Sequence, residues 1–252
     1  MRCCRATGGS GARSKRRERG ARCRVSAARA FVHADAEALA QAAAREVERA
    51  ARESVQRRAR FELALSGGST PQRMYQLLDA ALPWSKIHLW FGDERCVPPD
   101  HADSNYRMVR ETLLERIAIP AANVHRMRGE DEPAVAARAY ERELVERLDL
   151  VLLGMGPDGH TASLFPGTTA VGERTRRCVE NWVEAKQSWR ITLTLPVLDA
   201  ARRVMFVVAG MEKRAMLARV RTERDASLPA SLIGATSGAD TVEWWLDRAV
   251  AQ

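Results

Sequence analysis

At 252 residues and a formal net charge of +8, the chain is long enough for a substantial core, in one domain or two small ones. No apolar stretch approaches the length of a membrane-spanning helix, which excludes a helical membrane protein. Five cysteines without a CxxC pair argue against a zinc site or a disulfide framework.

The excess charge is confined to one end. Residues 1–24 hold nine Arg or Lys and a single acid, Glu18, and so carry the whole +8. Residues 25–252 balance 31 cations against 31 acids, so the body lacks the basic surface of a nucleic-acid-binding domain. The basic segment has no apolar h-region and is not a secretory signal. Its Arg-rich, acid-poor composition suits a transit sequence, but amphipathic periodicity is missing. It reads as a disordered tail, or as an early assigned start, ahead of a single α/β domain over 25–252.

Within that domain, strands and helices alternate. Helix Asp35–Arg58 is followed by strand Phe61–Leu65 and helix Pro71–Ala81. Strand Ile87–Phe91 precedes helix Ser104–Arg116, and a short strand is allowed at Val124–Met127. Helix Pro133–Arg147 leads to strand Leu150–Leu153, then strands Ile191–Leu195 and Val204–Ala209. Helices Glu212–Arg221 and Thr241–Ala249 complete the pattern. The strands are continuous apolar or β-branched runs, which predicts burial on both faces. Together these elements predict a mostly parallel sheet with helices on both faces, a Rossmann-like three-layer α/β architecture.

In such a sheet, chemistry gathers beyond the carboxyl ends of the strands. After Leu65 come Ser66, Gly67, Gly68, Ser69, Thr70 and Pro71. Two glycines allow close backbone approach, Ser69 or Thr70 can cap the helix, and Pro71 suits its first turn. The free N–H groups there favour phosphate, although a merely well-capped turn would use the same residues. After Phe91 come Gly92, Asp93, Glu94 and Arg95. Arg95 suits a bidentate phosphate clamp, and Asp93 can hold a sugar hydroxyl or orient a base. The bland alternative for these charges is a solvated loop.

The third junction runs Gly154-Met155-Gly156-Pro157-Asp158-Gly159-His160. Its glycine spacing matches a dinucleotide-binding turn, with Glu180 near the place of the ribose-binding acid. That turn needs an immediate helix, which Pro166, Gly167 and Gly172 break. A structural turn has no need of an imidazole. His160 is the candidate general base because imidazole titrates near neutrality, and Asp158 is placed to orient it. Arg190 and Lys213, at two further strand ends, add cations that can converge with Arg95 on one phosphorylated substrate. Arg190 or backbone N–H groups of the glycine loops can stabilise an oxyanion. Ser66 and Ser69 lack a triad setting, and Cys96 reads as a packed thiol, so no covalent nucleophile or metal is called for.

The blocks Leu65–Pro71, Phe91–Tyr106 and Leu152–Gly167 in combination resemble the 6-phosphogluconolactonase family. Arg190–Thr194, Ala209–Lys213 and the terminal Leu228–Ser231 and Trp244–Asp247 are similar to its later pattern. The resemblance implies a fold shared with glucosamine-6-phosphate deaminase, ribose-5-phosphate isomerase and CoA transferases. It also implies hydrolysis of 6-phosphogluconolactone in the oxidative pentose phosphate pathway. The expectation is a cytoplasmic enzyme, monomeric or a small homo-oligomer, acting on a phosphorylated sugar lactone without cofactor, metal, nucleic acid or membrane. Two departures stand out: a short connection between Arg147 and Leu150, and a basic segment with no family counterpart. The alternative within the fold is an aminosugar-phosphate deaminase or isomerase. That pattern places a Glu five residues after the His, where this chain has Phe165, which cannot exchange a proton. Nucleic-acid binding through residues 1–24 is the alternative of another class.

Overall fold

The computed structural model describes residues 29–234 and 241–252. The basic segment 1–24 lies outside them. In the order of the chain, β1 (Arg29–His33), α1 (Ala36–Arg58), β2 (Phe61–Leu65) and α2 (Ser69–Leu77) come first. They are followed by β3 (Ile87–Phe91), β4 (Asp93–Arg95), α3 (Asn105–Thr112), α4 (Pro133–Glu143) and β5 (Leu150–Leu153). The second half holds β6 (Cys178–Val183), β7 (Ser188–Leu193), α5 (Leu195–Ala200), β8 (Arg203–Val208) and α6 (Arg214–Ala218). Last come α7 (Pro229–Leu232), β9 (Thr241–Asp247) and α8 (Arg248–Ala251).

Six strands form one parallel sheet in the order β1-β9-β8-β5-β2-β3, flanked by helices. Every residue of β2 and β5 is buried, as apolar runs covered on both faces require. The register aligns Leu65 with Phe91 and Leu153 with Phe206, so the loops after β2, β3, β5 and β8 open on one rim. Helix α1 begins where Asp35 accepts the Ala38 N–H at 2.8 Å. Its buried stripe, Leu39, Ala40, Ala43, Ala44, Val47, Ala50 and Ala51, follows the helical period onto the core.

Several expectations are corrected. Thr241–Ala249 is not a helix: it is strand β9 followed by the single turn α8. Its Trp and Leu residues fit either period, and the vacancy between β1 and β8 decides for the strand. Trp244 then stacks on Phe206 at 4.0 Å between ring centroids. Of the Ile191–Leu195 run, Ile191–Leu193 belong to β7, the middle strand of a second, antiparallel sheet, β4-β7-β6, and not to the parallel one, while Leu195 already opens α5. A buried continuous run looks alike in both settings. Strands β1 and β6 were not anticipated; β1 is a largely exposed edge and lacks an apolar signature. Val124–Met127 forms only one bridge, Val124 to Leu89. The predicted Glu212–Arg221 helix breaks into a 3-10 turn, α6 and a π turn. Helix α4 ends at Glu143, so the connection to β5 is longer than expected, and its Leu144 and Leu148 are buried in the core.

Candidate active site

A cleft of about 300 Å³ opens on the carboxyl rim of the sheet. All of the sequence-predicted site residues line it except Asp158, which stands behind His160: Ser66, Gly67, Gly68, Ser69, Thr70, Asp93, Arg95, His160, Arg190 and Lys213.

The glycine loop is tied to its own helix. The Tyr75 hydroxyl donates to the Ser66 carbonyl and accepts the Ser66 N–H, both at 2.9 Å. Tyr75 is wholly buried on α2, so the loop cannot swing independently of that helix. Gly68 has φ +106°, a conformation that favours glycine. It also occupies the N-cap position, where no side-chain bond caps the helix. Ser69 and Thr70 therefore do not cap α2 as expected; they lie inside its first turn, whose N–H groups face the cleft end. A side chain at Gly67 would lie 2.2 Å from Asn105 Oδ1, so loop and α3 pack face to face.

The imidazole of His160 is held on three sides. Its Nδ1 lies 2.5 Å from Asp158 Oδ1. Phe165 stacks on the ring at 4.1 Å between centroids and 19° between planes. A Cβ on Gly156 would sit 2.1 Å from ring atoms Cε1 and Nδ1, so only glycine leaves room for the ring. Burial opposes ionisation of Asp158, yet the hydrogen bond and charge of His160 outweigh it and hold the carboxyl below its ordinary value. With Nδ1 committed to the carboxylate, Nε2 is the nitrogen left for chemistry. The dinucleotide-like glycine spacing is not followed by a helix: Thr161 and Leu164 bridge instead, and Glu180 pairs with Arg176 at 3.1 Å.

The Asp93-Glu94-Arg95 run splits into three roles. Glu94 is buried and accepts the N–H groups of Asn105 at 2.8 Å and Tyr106 at 2.7 Å, so it holds the start of α3. Burial raises the Glu94 pKa, and the backbone N–H bonds pull the other way. Asp93 faces the cleft, accepting from Ser163 Oγ at 2.6 Å and Asn105 Nδ2 at 3.3 Å. Arg95 lies in register with Arg190 on β7. Burial, then the Arg95 charge, pushes the Arg190 guanidinium below its ordinary value, against the opposing pull of Asp93 and Asp103. The Arg190 Nε is buried without a hydrogen-bond partner among the described residues.

Lys186, Asn105 and Ser163 also line the cleft, and none had been given a role from sequence. Lys186 ends the turn between β6 and β7 and carries no motif; only the hairpin brings it to the rim. Among the described residues, four cations, Arg95, Lys186, Arg190 and Lys213, thus surround a cleft whose one lining acid is Asp93. Cys96 is half-buried among apolar side chains, and burial pushes its thiol up to about 11.

The cleft therefore joins a cluster of cations to an oriented imidazole, and known proteins share most of the frame. The family model for glucosamine-6-phosphate isomerases/6-phosphogluconolactonase matches residues 34–244. A 6-phosphogluconolactonase of Nostoc is 49% identical over 173 residues, 64% of this chain and 71% of that one. The Haemophilus influenzae 6-phosphogluconolactonase is 37% identical over 202 residues, 75% of this chain and 86% of that one. The crystal structure of 6-phosphogluconolactonase from Thermotoga maritima superposes with a TM-score of 0.79 at 29% identity, covering 88% of this chain and 100% of that one. By the extent of the model match and of its relatives, the chain belongs to the glucosamine-6-phosphate isomerase/6-phosphogluconolactonase family.

Proposed function

We propose that the chain hydrolyses 6-phospho-D-glucono-1,5-lactone to 6-phosphogluconate in the oxidative pentose phosphate pathway. The phosphate is held by Arg95, Arg190, Lys186 and Lys213 together with the N–H groups at the start of α2. His160 Nε2 takes a proton from the attacking water while Asp158 accepts the Nδ1–H, fixing the tautomer and stabilising the imidazolium. Glycine-loop N–H groups meet the charge on the carbonyl oxygen. Collapse of the tetrahedral species breaks the ring C–O bond, and the imidazolium returns its proton to the departing ring oxygen. Asp93, fixed by Ser163 and Asn105, is suited to a sugar hydroxyl.

One observation carries the choice of reaction. The face of His160 is covered by Phe165, and the cleft offers one carboxylate, Asp93, already engaged by two donors. A ring-opening isomerisation with proton transfer between carbons needs further acid–base groups. Lactone hydrolysis needs one base. A doubly charged sugar phosphate does not cross a bilayer unaided, which supports an activity in the compartment that makes it; we infer the cytoplasm.

The test is a coupled assay with freshly generated 6-phosphogluconolactone and, separately, glucosamine 6-phosphate, with spontaneous hydrolysis subtracted. Turnover of the lactone and none of the aminosugar is expected. Release of ammonia from glucosamine 6-phosphate would replace this reaction with the deaminase one.

A further inference from the structure

A second cavity, of about 240 Å³, lies at the opposite end of the sheet. The end of α1 supplies Arg57 and Arg58, and the residues entering β5 and β8 supply Asp149, Arg202 and Arg203. The five residues of β2 separate it from the His160 cleft, about 16 Å at the usual strand rise.

We propose that this cavity binds a small phosphorylated metabolite, at a site distinct from the lactone cleft. Four arginines line it, against two acids, Asp149 and Glu53. Glu53 is already paired with Arg49 on its own helix. Asp149 is buried and accepts from Ser54 Oγ at 3.1 Å and the Glu62 N–H at 2.9 Å, so its place is fixed. It draws two guanidinium groups together: Arg58 Nη2 at 2.8 Å and Arg202 Nε at 3.2 Å. The Arg202 N–H is not aligned on that carboxylate, and Nε is buried with no hydrogen-bond partner among the described residues. Arg203 is anchored by Nη2 alone, to Glu46 at 2.6 Å and Glu243 at 2.8 Å. Arg57 makes no ion pair or hydrogen bond among the described residues.

Each anchored arginine thus spends one edge on the protein and keeps N–H groups for the cavity. The ion pairs account for where Arg58, Arg202 and Arg203 sit, but not for the unpaired Arg57 beside them or for the buried Arg202 Nε left without a hydrogen bond among the described residues. Planar guanidinium forks fixed by their far edges match the oxygens of a phosphate, which can take several of them at once. The strand starts around the cavity belong to β2, β5 and β8, the strands whose other ends carry the glycine loop, the His160 loop and Lys213. An anion drawn against Arg58, Arg202 and Arg203 therefore bears on the frame of the lactone site.

Isothermal titration of the full chain with pyrophosphate, at fixed ionic strength, tests the site. The parent protein is expected to show a binding event that survives Arg95→Gln and weakens about tenfold or more in the double variant Arg57→Gln/Arg202→Gln. Lactone turnover in the absence of pyrophosphate is expected to be the same in that double variant as in the parent. The basic residues 1–24 are common to all these proteins and cancel in the comparison. Identical isotherms for parent and double variant overturn the proposal, as does malonate binding at least as tightly as pyrophosphate. Should Arg202→Gln lower the melting temperature sharply, Arg57→Gln alone gives the same reading, because Arg57 is exposed and holds nothing in place.

Discussion

Arg95 on β4 and Arg190 on β7 stand directly opposite each other across an antiparallel ladder. Like charges in that relationship destabilise a sheet. Both line the cleft, and the Arg190 Nε has no hydrogen-bond partner among the described residues. A phosphate held between them, as proposed above, would turn that repulsion into a clamp.

Arg190→Ala is accordingly expected to separate stability from binding. Relief of the repulsion should leave the melting temperature unchanged or higher. Loss of charge-assisted hydrogen bonds worth roughly 1.5–3 kcal/mol should weaken affinity for the phosphorylated product about ten- to a hundredfold. Calorimetry on the variant measures both, and an affinity equal to that of the parent would remove Arg190 from the phosphate site.

His160→Ala should lose about 10²- to 10⁴-fold in turnover, the usual worth of a positioned proton acceptor, while still binding 6-phosphogluconate. Asp158→Asn is expected to fall less far, because the base survives and only its tautomer and orientation suffer. Steady-state rates corrected for spontaneous hydrolysis decide it. Full turnover in a folded His160→Ala protein rules out the mechanism.

Gly156→Ala is a sharper probe of geometry, since it removes no functional group. The added Cβ would meet the His160 ring at 2.1 Å and Asp158 Oδ1 at 2.7 Å. The ring must move, and a displacement near 1 Å can cost on the order of 10²-fold. Turnover should drop by that order with the circular dichroism spectrum intact.

The Asp158 carboxyl also sets a pH dependence of stability. Its folded-state pKa lies below the ordinary 3.8, because the His160 hydrogen bond and charge outweigh desolvation. A depressed carboxyl contributes stability that is present above the unfolded pKa and is lost as pH falls through the folded one. The difference in melting temperature between the parent and Asp158→Asn should be present near pH 5 and shrink below about pH 4. A difference that stays constant into stronger acid would show that the pair does not form.

Glu94 carries a stability prediction of its own. Replacing it with Ala strands the buried N–H groups of Asn105 and Tyr106, at a cost of roughly 2–4 kcal/mol. Denaturant unfolding measures this directly. Glu94→Gln, which keeps an acceptor in place, should cost less.

The residues that line the cleft were legible because local sequence dictates local geometry at strand ends. An apolar run closed by Ser66-Gly67-Gly68, or by Gly154 through His160, can do little but turn at a sheet rim. The glycine at 156 is forced by the ring beside it. The parallel order of β2, β3, β5 and β8 followed from burial on both faces. Strand β9 was not legible, since Val242, Trp244, Trp245 and Leu246 fit a helix face as well as a strand, and the choice lies in hydrogen bonds to β1 and β8. Nor was the antiparallel β4-β7-β6 sheet, which alone sets Arg95 against Arg190 and carries Lys186 to the rim. Sequence by itself determined which residues have the right chemistry and that a rim would present most of them. Tertiary structure decided which charges meet, because pairing between segments a hundred residues apart is set by packing the whole chain and leaves no mark in the short-range pattern.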